Sequence, residues 1–291
     1  MKTIYLKFKI LLDLVVFKHS IFALPFLFIS LMVASKMIND SAWFGFKVLI
    51  LGIICAVSAR NFAMAVNRLM DEDIDKDNPR CKNRPNISGA IDRKSIWVFI
   101  IINACIFIAC SYFINSLAFM LSFPILFILA LYSAFKRFSS LAHLVLGFCL
   151  GLAPIAASVM VLGKIEIYSV ILCLGVTFWA GGFDLLYSLQ DIDYDKEKGL
   201  HSIPAQFGEK ATLMISACCH ILAVIFWLLF VWIAPLHLIS FLGVLVCAVI
   251  LFFEHKIVHK NFIHIDRAFF TLNGYLSIIF FIFVWVDLLW Q

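Results

Sequence analysis

Between residues 67 and 85 the chain reads NRLMDEDIDKDNPRCKNRP. Asn67, Asp71 and Asp75 recur at every fourth position, which on a helix stacks their side chains on one face about a turn apart. Oxygen ligands crowded onto one stripe repel unless a cation sits among them. Mg²⁺ takes such hard ligands, usually one or two carboxylates completed by water and a substrate phosphate. Asp73 and Asp77 fall off the stripe and are weaker candidates. Arg80 and Arg84 follow, with Pro85 closing any helix, and their guanidinium groups suit the non-metal oxygens of a diphosphate. Taken alone, this run also reads as a solvated loop of mixed charge.

A second acidic run, GGFDLLYSLQDIDYDKEKGLHSIP, makes the loop reading weaker. Asp191 and Asp195 again stand four apart, and Asp184 and Tyr187 share their face deeper in the segment. Two such helix ends on one side of a membrane can bracket a diphosphate through Mg²⁺. Asn67, Asp71, Asp75, Asp191 and Asp195 are therefore the expected metal ligands, and the four aspartates the expected catalytic groups. Arg60, Arg80, Arg84, Lys136, Asp184 and Tyr187, with Asn67, are the expected substrate contacts. Asp184 lies in an apolar stretch, where a carboxylate is costly and by default functional. Arg60, two turns deeper than Asn67, needs an anion: either Asp184 in an ion pair, or the carboxylate of a bound substrate. His19 and His143 read as packed or interfacial, Lys136 and Arg137 also serve as topology markers, and His255, His259 and His264 read as a polar loop.

The elements that position these groups must cross lipid. Of 291 residues, 64% are hydrophobic and 14% charged, too few charges to cover a water-soluble surface of this size. Long apolar intervals separate the basic residues, which excludes a nucleic-acid stripe. Nine segments have the length of a membrane helix, near residues 14–35, 45–67, 95–114, 116–135, 140–163, 167–189, 212–233, 236–254 and 269–289. Lys2, Lys7 and Lys9 precede the first, which continues to span length and reads as a retained helix. Short linkers fall near Asn115 and Pro235, and polar ones over 68–94 and 190–211. With the N-terminus inside, eighteen Lys and Arg lie on the cytoplasmic side and three, Lys36, Lys47 and Lys164, opposite. The C-terminus then lies outside, both acidic exits face the cytoplasm, and the arrangement repeats after about 120 residues. The expected fold is a single all-α membrane domain over 1–291, a helix bundle around a central cavity. Nine cysteines without a C-x-x-C pair read as small packing residues.

The chain resembles the UbiA superfamily of intramembrane prenyltransferases. The resemblance rests on Asn67, Asp71 and Asp75, on Arg80 and Arg84-Pro85, on YSAFKR around Lys136, and on Asp191 and Asp195. Arg68 stands where many relatives carry aspartate. The resemblance implies a cavity open laterally to lipid, Mg²⁺ at both acidic motifs, and Arg60 as a clamp for an acid. HSIFALPF, GGFDLLYSLQD and GLHSIPAQFG look like the 4-hydroxybenzoate polyprenyltransferase branch or its menaquinone-making relatives. Expected partners are a polyprenyl diphosphate, an aromatic acid and membrane lipid, with no obligate protein partner. A transporter accounts for the buried charges but not for paired acidic exits trailed by arginines. An alcohol phosphatidyltransferase would need glycine and arginine positions absent from these runs.

Overall fold

The computed structural model describes residues 10–15, 24–260 and 268–291, and among these every regular element is helical. In chain order these are α1 (Leu24–Asn39), α2 (Phe46–Met70), the short α3 (Glu72–Asp75), α4 (Arg93–Ile114) and α5 (Ser116–Leu131). Then come α6 (Ala142–Leu162), α7 (Ile167–Ser188), the short α8 (Ile192–Glu197), α9 (Ile203–Ile233), α10 (Leu238–Lys260) and α11 (Asn273–Trp290). Eight of the described helices are long and apolar enough to cross a membrane, where nine were expected. The difference lies at the start. Instead of one helix over 14–35, a helical piece at 10–14 and the sixteen-residue α1 are described. The described part of α1 starts at Leu24, where the described residues resume, so only part of the expected span 14–35 is covered. His19, His264 and the N-terminal lysines lie outside the described residues.

The expected polar linker 190–211 is also partly helical, because its sequence carries its own start and break signals. The Ser202 hydroxyl accepts from Ala205 N at 3.3 Å, Pro204 occupies the first turn, and Gly208 at φ 79° bends the chain before the spanning part of α9. His255 and His259 belong to the end of α10, not to a loop. There His255 Nε2 meets His220 Nδ1 at 2.9 Å. All nine cysteines are free thiols.

The chain divides into two compact units, Met1–Ser20 with Ile53–Ala134, and Ile21–Gly52 with Phe135–Gln291. In the first, α4 and α5 form a tight hairpin jointed by one residue. Asn115, extended at φ −167°, ends α4 and accepts Ala118 N at 2.8 Å to start α5. Asn61 of α2 donates to Asn103 of α4 at 3.2 Å, one polar tie between otherwise apolar helices. Asp92 caps α4 through Ser95 N at 3.1 Å.

In the second unit α6 packs on α7, α7 on α9, α1 on α6, and α11 on both α10 and α1. Its core is aromatic: Phe26, Trp179, Trp227 and Phe280, all fully buried, join α1, α7, α9 and α11. Ring centroids of Phe26 and Trp179 lie 5.1 Å apart, and those of Trp227 and Phe280 5.5 Å apart. Such contacts add about 0.5–1.5 kcal/mol per pair beyond area burial. In the span that begins with α7, 78% of the apolar window is buried, against 28–44% in the other seven, so α7 is enclosed while its neighbours present apolar side chains outward. Polar ends are tied down: Asp287 of α11 accepts from His237 N and Ser240 Oγ, both at 2.6 Å, and so caps α10 from outside it.

Close approach of α6 and α7 depends on missing side chains. A methyl group on Gly147 would run into the Thr177 carbonyl, and one on Gly151 would lie 2.6 Å from the Cys173 carbonyl oxygen. We expect Gly147→Ala to cost about 1–3 kcal/mol by forcing these backbones apart. Thermal unfolding of the detergent-purified protein checks this; an unchanged Tm would show that the contact yields without cost.

Candidate active site

The first acidic exit keeps helical register from Asn67 to Asp75, as its spacing predicts, with one break at Asp71. Asp71 N bonds to the Asn67 carbonyl at 2.9 Å and Asp75 N to the Asp71 carbonyl at 2.7 Å, so the three residues stack in register. Asp71 sits at the break between α2 and α3, with φ −95° and ψ 3°. Asp71 and Asp75 are 3% and 4% exposed, which for carboxylates demands compensation. Asn67 Nδ2 donates to Asp71 Oδ2 at 2.7 Å and to Ser133 Oγ at 3.1 Å. Arg84 forms an ion pair with Asp75 Oδ2, and Cys81 Sγ approaches Asp75 Oδ1 at 3.6 Å.

Two arginines here behave differently. Arg80 is exposed in a short 3₁₀ turn, Pro79–Cys81, whose start is capped by the Asn78 side chain accepting Arg80 N at 2.9 Å. Arg68 is buried and donates from Nε to the Leu14 carbonyl at 3.2 Å, so it fastens the N-terminal piece to α2. Arg60 is half-buried on α2, two turns before Asn67. A cavity of about 540 Å³ opens beside the same exit, lined by Leu69, Glu72, Asp73, Lys76, Arg93 and Trp97 among others. At 100° per residue those positions fall on the side of α2 and α3 opposite Asn67, Asp71 and Asp75, so this cavity is separate from the expected ligands.

The second exit repeats the first. Asp191 and Asp195 follow Asp71 and Asp75 by 120 positions each. Asp191 lies at the same kind of break, φ −107° and ψ 8°, between the end of α7 with its 3₁₀ turn Leu189–Asp191 and the short α8, which carries Asp195. Both aspartates are half-buried. The loop that follows turns at Gly199, φ 64°, and His201 N bonds to the Lys136 carbonyl at 2.8 Å, holding YSAFKR against this exit. Tyr187 packs edge-on to Phe270, ring centroids 6.2 Å apart.

Asp184 Oδ2 lies 2.7 Å from His143 Nδ1. Spacing offers Arg60 as the partner of Asp184 and leaves His143 as a packed or interfacial residue, whereas the structure pairs Asp184 with His143. The missed signal was depth: His143 opens α6 and Asp184 lies near the end of the next helix, so both stand at the same level of the bundle. Among the described residues no three His, Cys, Asp or Glu side chains cluster closely enough to hold a metal alone. Mg²⁺ does not require such a cage, since two carboxylates with an amide oxygen, completed by substrate phosphate and water, satisfy it. Asn67, Asp71 and Asp75 have that donor chemistry, with Asp75 shared by Arg84.

Two membrane-spanning segments of this all-helical chain each break at an aspartate and carry another aspartate one turn on, and the class they fall in is that of the intramembrane prenyltransferases. The chain belongs to the UbiA prenyltransferase family, whose model matches residues 23–285. It is a multi-pass membrane prenyltransferase, and the transporter and phosphatidyltransferase readings fall. A 4-hydroxybenzoate octaprenyltransferase of Francisella tularensis subsp. novicida is 28% identical over 235 residues, 80% of this chain and 82% of that protein. Another of that name from Methylobacillus flagellatus is 29% identical over 171 residues, 59% and 58% of the two chains. The apo structure of a UbiA homolog from Aeropyrum pernix K1 superposes with a TM-score of 0.83 at 29% identity, covering 92% of this chain and 98% of that one. A UbiA homolog from Archaeoglobus fulgidus bound to GPP and Mg²⁺ has the same fold, TM-score 0.71 at 19% identity over 96% of this chain and 99% of that one.

The Arg84 and Asp75 pair allows a direct test. Replacing Arg84 by Met leaves a carboxylate that is almost fully buried without its charge partner; because the Arg84 side chain is one-third exposed, the expected loss is about 1–2 kcal/mol. Asp75→Asn in the same protein should recover most of it. Thermal unfolding of the two single variants and the double variant measures the coupling, and additive losses would show that the pair contributes nothing.

Proposed function

We propose that this prenyltransferase moves a polyprenyl group from its diphosphate to an aromatic carboxylic acid, with 4-hydroxybenzoate as acceptor, in quinone biosynthesis. The observation that carries the reading is the duplicated helix exit, Asp71 with Asp75 and Asp191 with Asp195. The names of the Francisella and Methylobacillus relatives support 4-hydroxybenzoate as the acceptor. The reading takes residues 1–291 as one prenyltransferase domain and requires both exits on one membrane face; the four crossings α4 to α7 between them return the chain to the side it left. The excess of Lys and Arg supports reading that face as cytoplasmic, with the chain in the cell's inner (cytoplasmic) membrane.

Asn67, Asp71 and Asp75 from one exit, and Asp191 and Asp195 from the other, would hold Mg²⁺, an ion that the structure of the Archaeoglobus homolog contains. A Mg²⁺ ion held there would supply Lewis-acid neutralisation of charge on the departing diphosphate. The chain's own part is electrostatic and geometric. Arg80 and Lys136 meet diphosphate oxygens, and Arg84 joins them by exchanging Asp75 for the substrate, so the carboxylate and the guanidinium are each neutralised in both states. Arg60, two turns deeper, takes the acceptor's carboxylate as a planar fork and so points the electron-rich ring at the allylic carbon. Asp184 and Tyr187 line the acceptor's side. Apolar helix walls keep water from the electron-poor allylic centre.

The decisive experiment incubates purified protein with a polyprenyl diphosphate, Mg²⁺ and a panel of aromatic acids, and reads products by mass spectrometry. A prenylated hydroxybenzoate is expected, lost when EDTA is added. Asp71→Asn and Asp191→Asn should each lower kcat by two or more orders of magnitude while the protein still inserts. Full activity in either variant would remove the two-exit mechanism, and product from a dihydroxynaphthoate alone would move the acceptor.

A further inference from the structure

The contact between His143 and Asp184 is built with more care than a packing histidine needs. His143 is followed at four-residue intervals by Gly147 and Gly151, whose bare backbones press against Thr177 and Cys173 of α7. That stripe brings the start of α6 onto the end of α7 and sets His143 Nδ1 2.7 Å from Asp184 Oδ2. His143 is 6% exposed. A carboxylate at Nδ1 holds the ring hydrogen there and leaves the lone pair on Nε2, the arrangement in which an acid orients an imidazole for proton transfer. Nε2 is buried, and among the described residues no hydrogen-bond partner reaches it. His143 has one ring nitrogen anchored by a carboxylate and the other without a partner among the described residues, whereas the buried His220, whose Nε2 is likewise unpartnered, is joined at Nδ1 to a second imidazole. Asp184 lies seven residues before Asp191, on the same face of the helix, so the pair stands two turns beneath the second acidic exit.

Resting on the prenyl-transfer reading, we propose that His143, held by Asp184, is the base that receives the proton displaced from the acceptor ring. In this step the bond between the allylic carbon and the diphosphate oxygen breaks, and the electron pair leaves with the diphosphate. The ring carbon beside the phenol hydroxyl forms the new carbon–carbon bond, and the hydrogen it carried passes as a proton to His143 Nε2. The electron pair of the broken carbon–hydrogen bond restores the aromatic ring. Asp184 balances the imidazolium until the proton returns to water. Asp184 is thus a positioning residue, and the carboxylates of the two exits keep their task at the diphosphate end.

The test compares wild type with His143→Gln, which can still hydrogen-bond Asp184 but cannot take a proton, and with His143→Ala. Acceptor carrying deuterium at the ring carbons beside the hydroxyl is used alongside ordinary acceptor. Removing the base should lower kcat about 100-fold or more with KM nearly unchanged. Ring deuterium, silent in the wild type, should slow the Gln variant, because proton removal has become limiting. Added imidazole should restore turnover to the Ala variant. Wild-type kcat in His143→Gln overturns the proposal, and so does a loss accompanied by neither an isotope effect nor imidazole rescue, which assigns His143 to packing. Should the wild type itself transfer no prenyl group to any acid, the prenyl-transfer reading fails and this step with it. A transferring wild type with unaffected variants removes the base alone.

Discussion

A carboxylate shut away from water must be matched by a positive charge, a donor or a proton, and this requirement organises the polar half of the molecule. Asp75 answers it with Arg84, Asp71 with the Asn67 amide, Asp184 with His143, and Asp287 with the open N-terminus of α10. Glu254, buried on α10, takes the Asn273 amide at 2.7 Å, and Asn273 in turn accepts from Trp179. The last two matches are closed inside the helices and read as structure. Asp75 and Asp184 differ: their partners are side chains that a substrate can claim, a guanidinium at one exit and an imidazole below the other.

Those matches hold only because the apolar scaffold is rigid where it must be. The most enclosed span is the one that begins with α7, and its packing is set by two features, glycine contacts with α6 and an aromatic junction with α1, α9 and α11. Gly175 has no room for a methyl beside Trp227, and Gly182 none beside His220, so α9 lies close against the same helix. The helix that carries Asp184, Tyr187 and Asp191 is thereby held on several sides at once. Elsewhere the helices turn apolar surface outward, as lipid allows.

Hydropathy made eight of the helices legible, since a run of about twenty apolar residues has no other economical fold in lipid. The four-residue spacing of Asn67, Asp71 and Asp75 was equally readable, and the backbone bonds confirm the stacking. Hydropathy missed the early start of α9, whose cap at Ser202 and bend at Gly208 are local signals that averaging over a long run smooths away. The partners of buried charges were the least legible. Arg84 on Asp75 and His143 on Asp184 join residues 9 and 41 positions apart, and nothing in spacing alone chooses among several arginines and histidines of suitable depth. The glycine stripe after His143 was visible in the sequence, but its meaning depends on which helix packs against it.

The single-residue joint at Asn115 bears on how the protein is made. With a single residue between α4 and α5, the two cross the bilayer as one tightly folded hairpin, so their solubility in lipid is a joint property. A mildly polar stretch on one arm is then tolerated because the greasier arm carries it in, and the Asn115 amide, occupied by its own backbone, crosses as a smaller polar burden than an exposed turn would.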